Sequence, residues 1–264
     1  ELMKILKAAT MGDMCFTHIL QFIEPGMTEK MVADEIEKTL LGYGAEGLSF
    51  PTICVSGVNT TQPHGEPSDK VIEDGDFVTM DFGAVVDGYC GDMTRTIGIG
   101  HLSEEQIKVY DIVLHSQMAG LAACKAGVRC SDVDAASRDI IKEAGYGNYY
   151  IHGTGHGVGT EVHEAPTLNP KSEEVLEEYM PVTVEPGIYI PDKFGVRIED
   201  LAIITEFGII NAVVLLVIAF FGGSWFGLTP NQFETFKIAL FILAAFSVLN
   251  WSTHIFSQLL IASE

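Results

Sequence analysis

The chain has 264 residues, enough for one large domain or two small ones with an ample buried core. A formal charge of −21 with only 15 Lys and Arg leaves little to build a basic face, which excludes a nucleic-acid partner. Beyond Phe207 only Glu234, Lys237 and Glu264 are charged, so the composition divides the chain there. The five cysteines (Cys15, Cys54, Cys90, Cys124, Cys130) have no metal-type or CxxC spacing. No signal-peptide pattern precedes them, and reduced thiols in a cytoplasmic catalytic domain are expected.

Taken in chain order, residues 2–22 carry apolar side chains at helical spacing, stopped by Pro25-Gly26. Thr28, three residues before Met31, reads as the N-cap of a second helix running to Gly42-Tyr43-Gly44. Short β-rich runs punctuated by Gly, Asn and Pro fill residues 52–100. Helical periodicity returns over 103–126, where Ser103 and Gln106 make a capping box. A fourth helix over 131–144 ends at Gly145-Tyr146-Gly147, and residues 149–206 are again β-rich.

The order of elements repeats. Pro25-Gly26, a helix and Gly42-Tyr43-Gly44 match Ala126-Gly127, a helix and Gly145-Tyr146-Gly147. His64-Gly65-Glu66-Pro67 matches His163-Glu164-Ala165-Pro166, and the run Val78 to Gly83 matches Val182 to Gly187. The offset stays between 99 and 104 residues. Two α-then-β units, each too small to bury its own sheet, are expected to pack as one pseudo-twofold α+β domain.

Carboxylates occupy equivalent places in both units. Asp87-Gly88 is a two-residue hairpin signal; with that turn, Gly83 faces Asp92, so Asp81 and Asp92 share one face of the sheet. With residues 191–195 as a loop, Gly187 faces Glu199, which puts Glu185 and Glu199 on one face as well. Four converging carboxylates repel one another unless compensated, and two divalent cations neutralise them. An imidazole from the run His152 to Gly159 completes a shell of oxygen and nitrogen donors suited to Mn, Co, Zn or Fe. The glycines of that run could instead cradle a phosphate, but it interleaves with His and lacks the P-loop Lys.

The strings HGEPSDK, VTMDFGAVVDGYCGDMTRT, HGTGHGVGTEVHE, VTVEPGIYIP and GVRIED, in that order, resemble the motifs of the pita-bread metallopeptidases. That family contains methionine aminopeptidases, Xaa-Pro aminopeptidases and prolidases. The resemblance covers roughly residues 1–207 and is nearest to the Xaa-Pro branch. It implies a duplicated pita-bread (creatinase/aminopeptidase) fold. It also implies metal ligands Asp81, Asp92, His156, Glu185 and Glu199, with Asp92 and Glu199 bridging the two ions, Asp81 on one, and His156 with Glu185 on the other. His64, His152 and His163 are implied as non-ligand histidines that contact substrate and the tetrahedral intermediate, and Arg197 as the cation that holds the acidic network together.

The expected activity is hydrolysis of the N-terminal bond of short peptides, Xaa-Pro above all, with two divalent metal ions as cofactors and Mn as the preferred one. A hydroxide bridging the ions attacks the carbonyl, and Glu185 carries the proton to the leaving nitrogen. The alternative is an inert pita-bread binding module or a membrane-tethered relic. Xaa-Pro members usually carry a further N-terminal domain, whereas this chain opens at Glu1, already inside the catalytic region.

Residues 208–264 are expected to form an apolar helical hairpin of two membrane spans, near 209–228 and 238–261, that anchors the catalytic domain. Trp225, Phe226 and Lys237 are placed as interface anchors. A short peptide is the expected partner, with homo-oligomerisation a second option.

Overall fold

The computed structural model describes residues 1–205. Each half opens with a pair of helices, α1 (Leu2–Phe22) and α2 (Glu29–Gly42) in the first, α3 (Glu104–Ala123) and α4 (Cys130–Glu143) in the second. The caps explain the starts. The Thr28 hydroxyl accepts from the Met31 amide, and Ser103 with Gln106 forms the reciprocal capping box. Helix α3 stops at Ala123, three residues short of the expected Ala126, and α4 begins at Cys130 after Arg129, which has no capping side chain.

The first half carries six strands: β1 (Gly47–Leu48), β2 (Ile53–Ser56), β3 (Phe77–Phe82), β4 (Ala84–Val86), β5 (Tyr89–Cys90) and β6 (Met93–Gly98). The second carries β7 (Gly155–Gly157), β8 (Glu164–Leu168), β9 (Pro181–Val184), β10 (Gly187–Ile190), β11 (Phe194–Arg197) and β12 (Asp200–Ile203). Antiparallel sheets run β2-β3-β6, β1-β4-β5, β12-β9-β7-β8 and β10-β11.

The duplication extends to single hydrogen bonds. Gly26 donates to the Ile72 carbonyl at 2.9 Å and Gly127 to that of Leu176 at 2.8 Å, while Ile72 and Leu176 answer to Met27 and Val128, both at 2.8 Å. Isolated bridges Thr28–Val71 and Arg129–Val175 sit at the same places in the two halves. Gly26 and Gly127, with φ of 96° and 84°, make the turns that a side chain would resist.

Strand alternation then sorts the side chains. Val78, Met80 and Phe82 on β3 and Met93 and Ile97 on β6 pack in one core with Ala8, Phe16, Ile19, Val32 and Ile36 of α1 and α2. Val182 and Val184 pack with Cys130 and Val133 of α4. Helices therefore cover the outer faces, and the odd-numbered side chains of β3 and β9 with the even-numbered ones of β6 turn inward. The halves are joined there: the Thr96 hydroxyl donates to the Arg197 carbonyl at 2.8 Å and accepts from its amide at 3.2 Å, and Thr94 O accepts from the Glu199 amide at 3.1 Å.

One register differs from expectation. The loop after β10 is three residues long, not five, so Gly187 faces Arg197 rather than Glu199. Asp192 at φ 60° closes the turn in the left-handed region, a conformation that Asp tolerates better than most residues. The first hairpin keeps the expected pairing, Val86 with Tyr89 and Asp81 with Thr94, although it divides between two sheets near Gly83. The five cysteines are unpaired. Among the described residues no helix is long and apolar enough to cross a membrane, and the hairpin expected at 208–264 lies outside them.

Candidate metal centre and peptide cleft

The inward faces of both sheets end in carboxylates. Asp81 is the last residue but one of β3, Asp92 immediately precedes β6, Glu185 follows β9 and Glu199 precedes β12. β9 pairs with β12 as Val184 with Asp200, so continuing that register sets Glu185 directly opposite Glu199. His156 comes in on β7, its amide held at 3.1 Å by the Thr183 hydroxyl. All nine residues singled out from the sequence line one cleft of about 740 Å³.

Within that cleft Asp92, His156 and Glu199 present ligand atoms that all lie within 4.8 Å of one another. Asp81 and Glu185 stand beside the cluster on partners of their own. Asp81 Oδ2 accepts from Arg197 Nη2 at 2.6 Å, and Glu185 Oε1 lies 3.3 Å from His156 Nε2. Arg197 also donates from Nε to Thr94 Oγ1 at 3.0 Å and from Nη1 to the Pro63 carbonyl and to Tyr189 Oη, both at 3.0 Å. One buried guanidinium thereby ties an acidic residue of the first half to the segment leading into His64.

The electrostatics follow from burying this much charge. Burial, with Glu199, Asp81 and Glu185 close by, pushes Asp92 well above the usual carboxylate range. Glu199 is raised in the same way, first by burial and then by Glu185 and Asp81. Asp81 is raised by burial, which outweighs the opposing pull of Arg197. Burial also pushes Glu185 up, but the hydrogen bond from His156 together with the nearby charges of His152, His156 and Arg197 outweighs it and leaves the carboxyl below its ordinary value. For His156, burial favours the neutral ring, yet the contact with Glu185 raises its pKa. His152 is lowered chiefly by burial, and His163 by burial and then by His156, whose ring centroid is 4.4 Å away.

Two buried carboxylate oxygens, Asp81 Oδ1 and Glu199 Oε1, find no hydrogen-bond partner. Leaving such an acceptor unsatisfied costs about 1–3 kcal/mol, more if it is charged. A divalent cation would supply the missing partner and the missing positive charge together. Three oxygen and nitrogen donors in one cluster, two more carboxylates beside it and no thiolate fit such an ion.

The profile of metallopeptidase family M24 matches residues 3–206. The chain belongs to metallopeptidase family M24. An uncharacterized peptidase of Bacillus subtilis is 49% identical over 209 residues, 79% of this chain and 59% of that one. The Xaa-Pro dipeptidase of Pyrococcus furiosus is 45% identical over 208 residues, 79% of this chain and 60% of that one. Among solved structures, an Xaa-Pro dipeptidase from Bacillus anthracis is 50% identical with a TM-score of 0.78, over 79% of this chain and 59% of that one. The chain spans about three-fifths of the length of these M24 relatives. Its described part has the α+β pita-bread fold of the family.

Two polar side chains of the M24 site were not singled out in the sequence. Tyr189 Oη contacts His152 Nε2 at 2.9 Å and accepts from Arg197, and Thr94 Oγ1 donates to Glu199 Oε2 at 2.6 Å. Both were findable, because Tyr189 shares strand parity with Glu185 and Thr94 shares it with Asp92.

Proposed function

We propose that this chain holds two divalent cations in the cleft and hydrolyses the N-terminal peptide bond of short peptides whose second residue is proline. The observation that carries the reading is the convergence of four carboxylates and His156 in one cleft, two of their buried oxygens lacking any partner. The names of the two similar Xaa-Pro dipeptidases support the substrate class.

Asp81, Asp92, His156, Glu185 and Glu199 would hold the ions, with Mn preferred among Mn, Co, Zn and Fe for an oxygen-rich donor set. Bound there, the ions supply Lewis-acid polarisation of the carbonyl and acidify water near neutral pH. Glu185, kept ionised by His156, accepts the proton of the attacking water and delivers it to the leaving nitrogen. His64 and His163, the repeat-related pair, are both exposed to the cleft and can donate to the developing oxyanion. His152 donates from Nδ1 to the Gly153 carbonyl at 2.8 Å, which leaves Nε2 to accept from Tyr189. Arg197 keeps Asp81 in place. Residues 1–207 form the catalytic unit in this reading.

The test is to strip the full chain of metal, reload it with Mn, Co or Zn, and assay Xaa-Pro dipeptides, longer Xaa-Pro peptides and Met-initiated peptides. Two ions per chain and cleavage confined to the Xaa-Pro series are expected. Stoichiometric metal with no cleavage of any series makes the domain a binding module, and His163→Ala should lower kcat by about 10²-fold or more.

A further inference from the structure

Helix α4 approaches the cleft without lining it, yet two of its side chains, one turn apart, grip the loop that carries His152. Asp134 is buried, 1% exposed. Its Oδ1 accepts from the Thr154 amide at 3.1 Å and the Thr154 hydroxyl at 2.8 Å. Arg138 forks onto the same carboxylate, Nε to Oδ2 at 2.7 Å and Nη2 to Oδ1 at 2.8 Å. The guanidinium then reaches on to the loop, Nη2 to the His152 carbonyl at 2.6 Å and Nη1 to the Tyr150 carbonyl at 3.2 Å. It lies 4.0 Å from the centroid of Tyr150, whose ring in turn meets His152 edge-on at 5.4 Å.

An ordinary i,i+4 pair on a helix contributes little and contacts nothing beyond itself. Here the acid is fully desolvated and the base spends two donors on main-chain carbonyls of one loop. The far end of that loop is pinned at Thr154, by Asp134 and by the Glu185 amide, which donates to the Thr154 carbonyl at 2.7 Å. The clasp thus sets the height of the His152 ring against Tyr189.

We infer that Asp134 and Arg138 are positioning residues for the reaction, acting through His152. This rests on the peptidase reading for its kinetic arm only. A lysine at 138 keeps the charge beside Asp134 but cannot make the fork and reach both carbonyls at once. In the full chain loaded with Mn, Arg138→Lys should lower kcat on an Xaa-Pro dipeptide about tenfold with KM within about twofold, the range seen when a supporting shell is disturbed. In a His152→Ala background the same substitution should cost less than about twofold, since its effect has already been removed. An unchanged kcat, or an equal loss in both backgrounds, overturns the inference.

The second arm needs no turnover. In ¹⁵N-histidine-labelled protein, the Nδ1–H resonance of His152, assigned by its loss in His152→Ala, should shift or broaden in Arg138→Lys while the other histidine signals stay in place. A His152 resonance identical in both proteins overturns the clasp. If Mn-loaded wild type cleaves no Xaa-Pro peptide, the peptidase reading fails and this comparison still decides the clasp. Should Arg138→Lys not fold, Asp134→Asn, which keeps the shape of the side chain, is read by the same two measurements.

Discussion

Asp92 and Glu199 show what a candidate metal site looks like as an energetic problem. Each is buried beside other acids and lifted well above the usual carboxylate range, so in metal-free protein the ionised forms are the costly ones. A carboxylate whose folded pKa is raised contributes stability that is fully present below its unfolded value of about 4 and lost as pH rises through the folded value. Metal-free protein should therefore lose the contribution of these two groups progressively as pH rises above about 4, and added Mn should raise Tm more at pH 7.5 than at pH 5.5. Thermal melts of chelator-treated and Mn-loaded protein at the two pH values check this; an equal rise at both would dissociate these carboxylates from metal binding. Asp92→Asn should remove part of that pH dependence and abolish stoichiometric metal.

The elements that deliver these residues are hairpins whose register was partly readable. For the first, the Asp87-Gly88 turn and strict alternation were enough, and the pairing of Asp81 with Thr94 follows from them. For the second, a five-residue loop was expected and a three-residue loop was found, moving the partner of Gly187 from Glu199 to Arg197. The shift is two residues, one full side-chain period, so Glu185 and Glu199 still share a face; a shift of one would have turned Glu199 into the core. Glycine matters where strands cross closely. A Cβ on Gly83, between Asp81 and Asp92, would collide with the Gly91 carbonyl, a backbone atom that cannot swing aside. Gly83→Ala should cost about 1–3 kcal/mol and weaken metal binding by displacing Asp92, read by denaturant unfolding and metal titration. Native-like metal affinity in that variant would mean the carboxylates are placed independently of the crossing.

At the scale of the whole molecule, the two halves meet through β6 and β11 rather than through an apolar seam alone. Thr96 binds both the amide and the carbonyl of Arg197 and also contacts Thr79 Oγ1 at 2.9 Å. Thr96→Val keeps the volume but leaves buried main-chain groups unpaired, so a loss of about 1–3 kcal/mol is expected, with activity falling because Arg197 carries Asp81. Equilibrium unfolding alongside kcat distinguishes this from a harmless surface change. The duplication was visible in sequence because turns are local: Gly26 and Gly127, and His64 and His163, announce themselves by spacing. The Asp134–Arg138 clasp was not, because an i,i+4 pair on a helix reads the same whether it faces water or a buried loop.

By itself the sequence determined the four helices, the repeat, the family and the set of residues that share the cleft, since each rests on periodicity, turn chemistry or ordered motifs. Only the tertiary structure decided which carboxylate oxygens lack a partner, that Arg197 reaches Asp81, Thr94, Pro63 and Tyr189 at once, and which backbone groups hold His152. Those facts depend on distances between segments more than a hundred residues apart in places, as with Arg197 and Asp81, and on which groups lose their water. Local pattern carries no information about either.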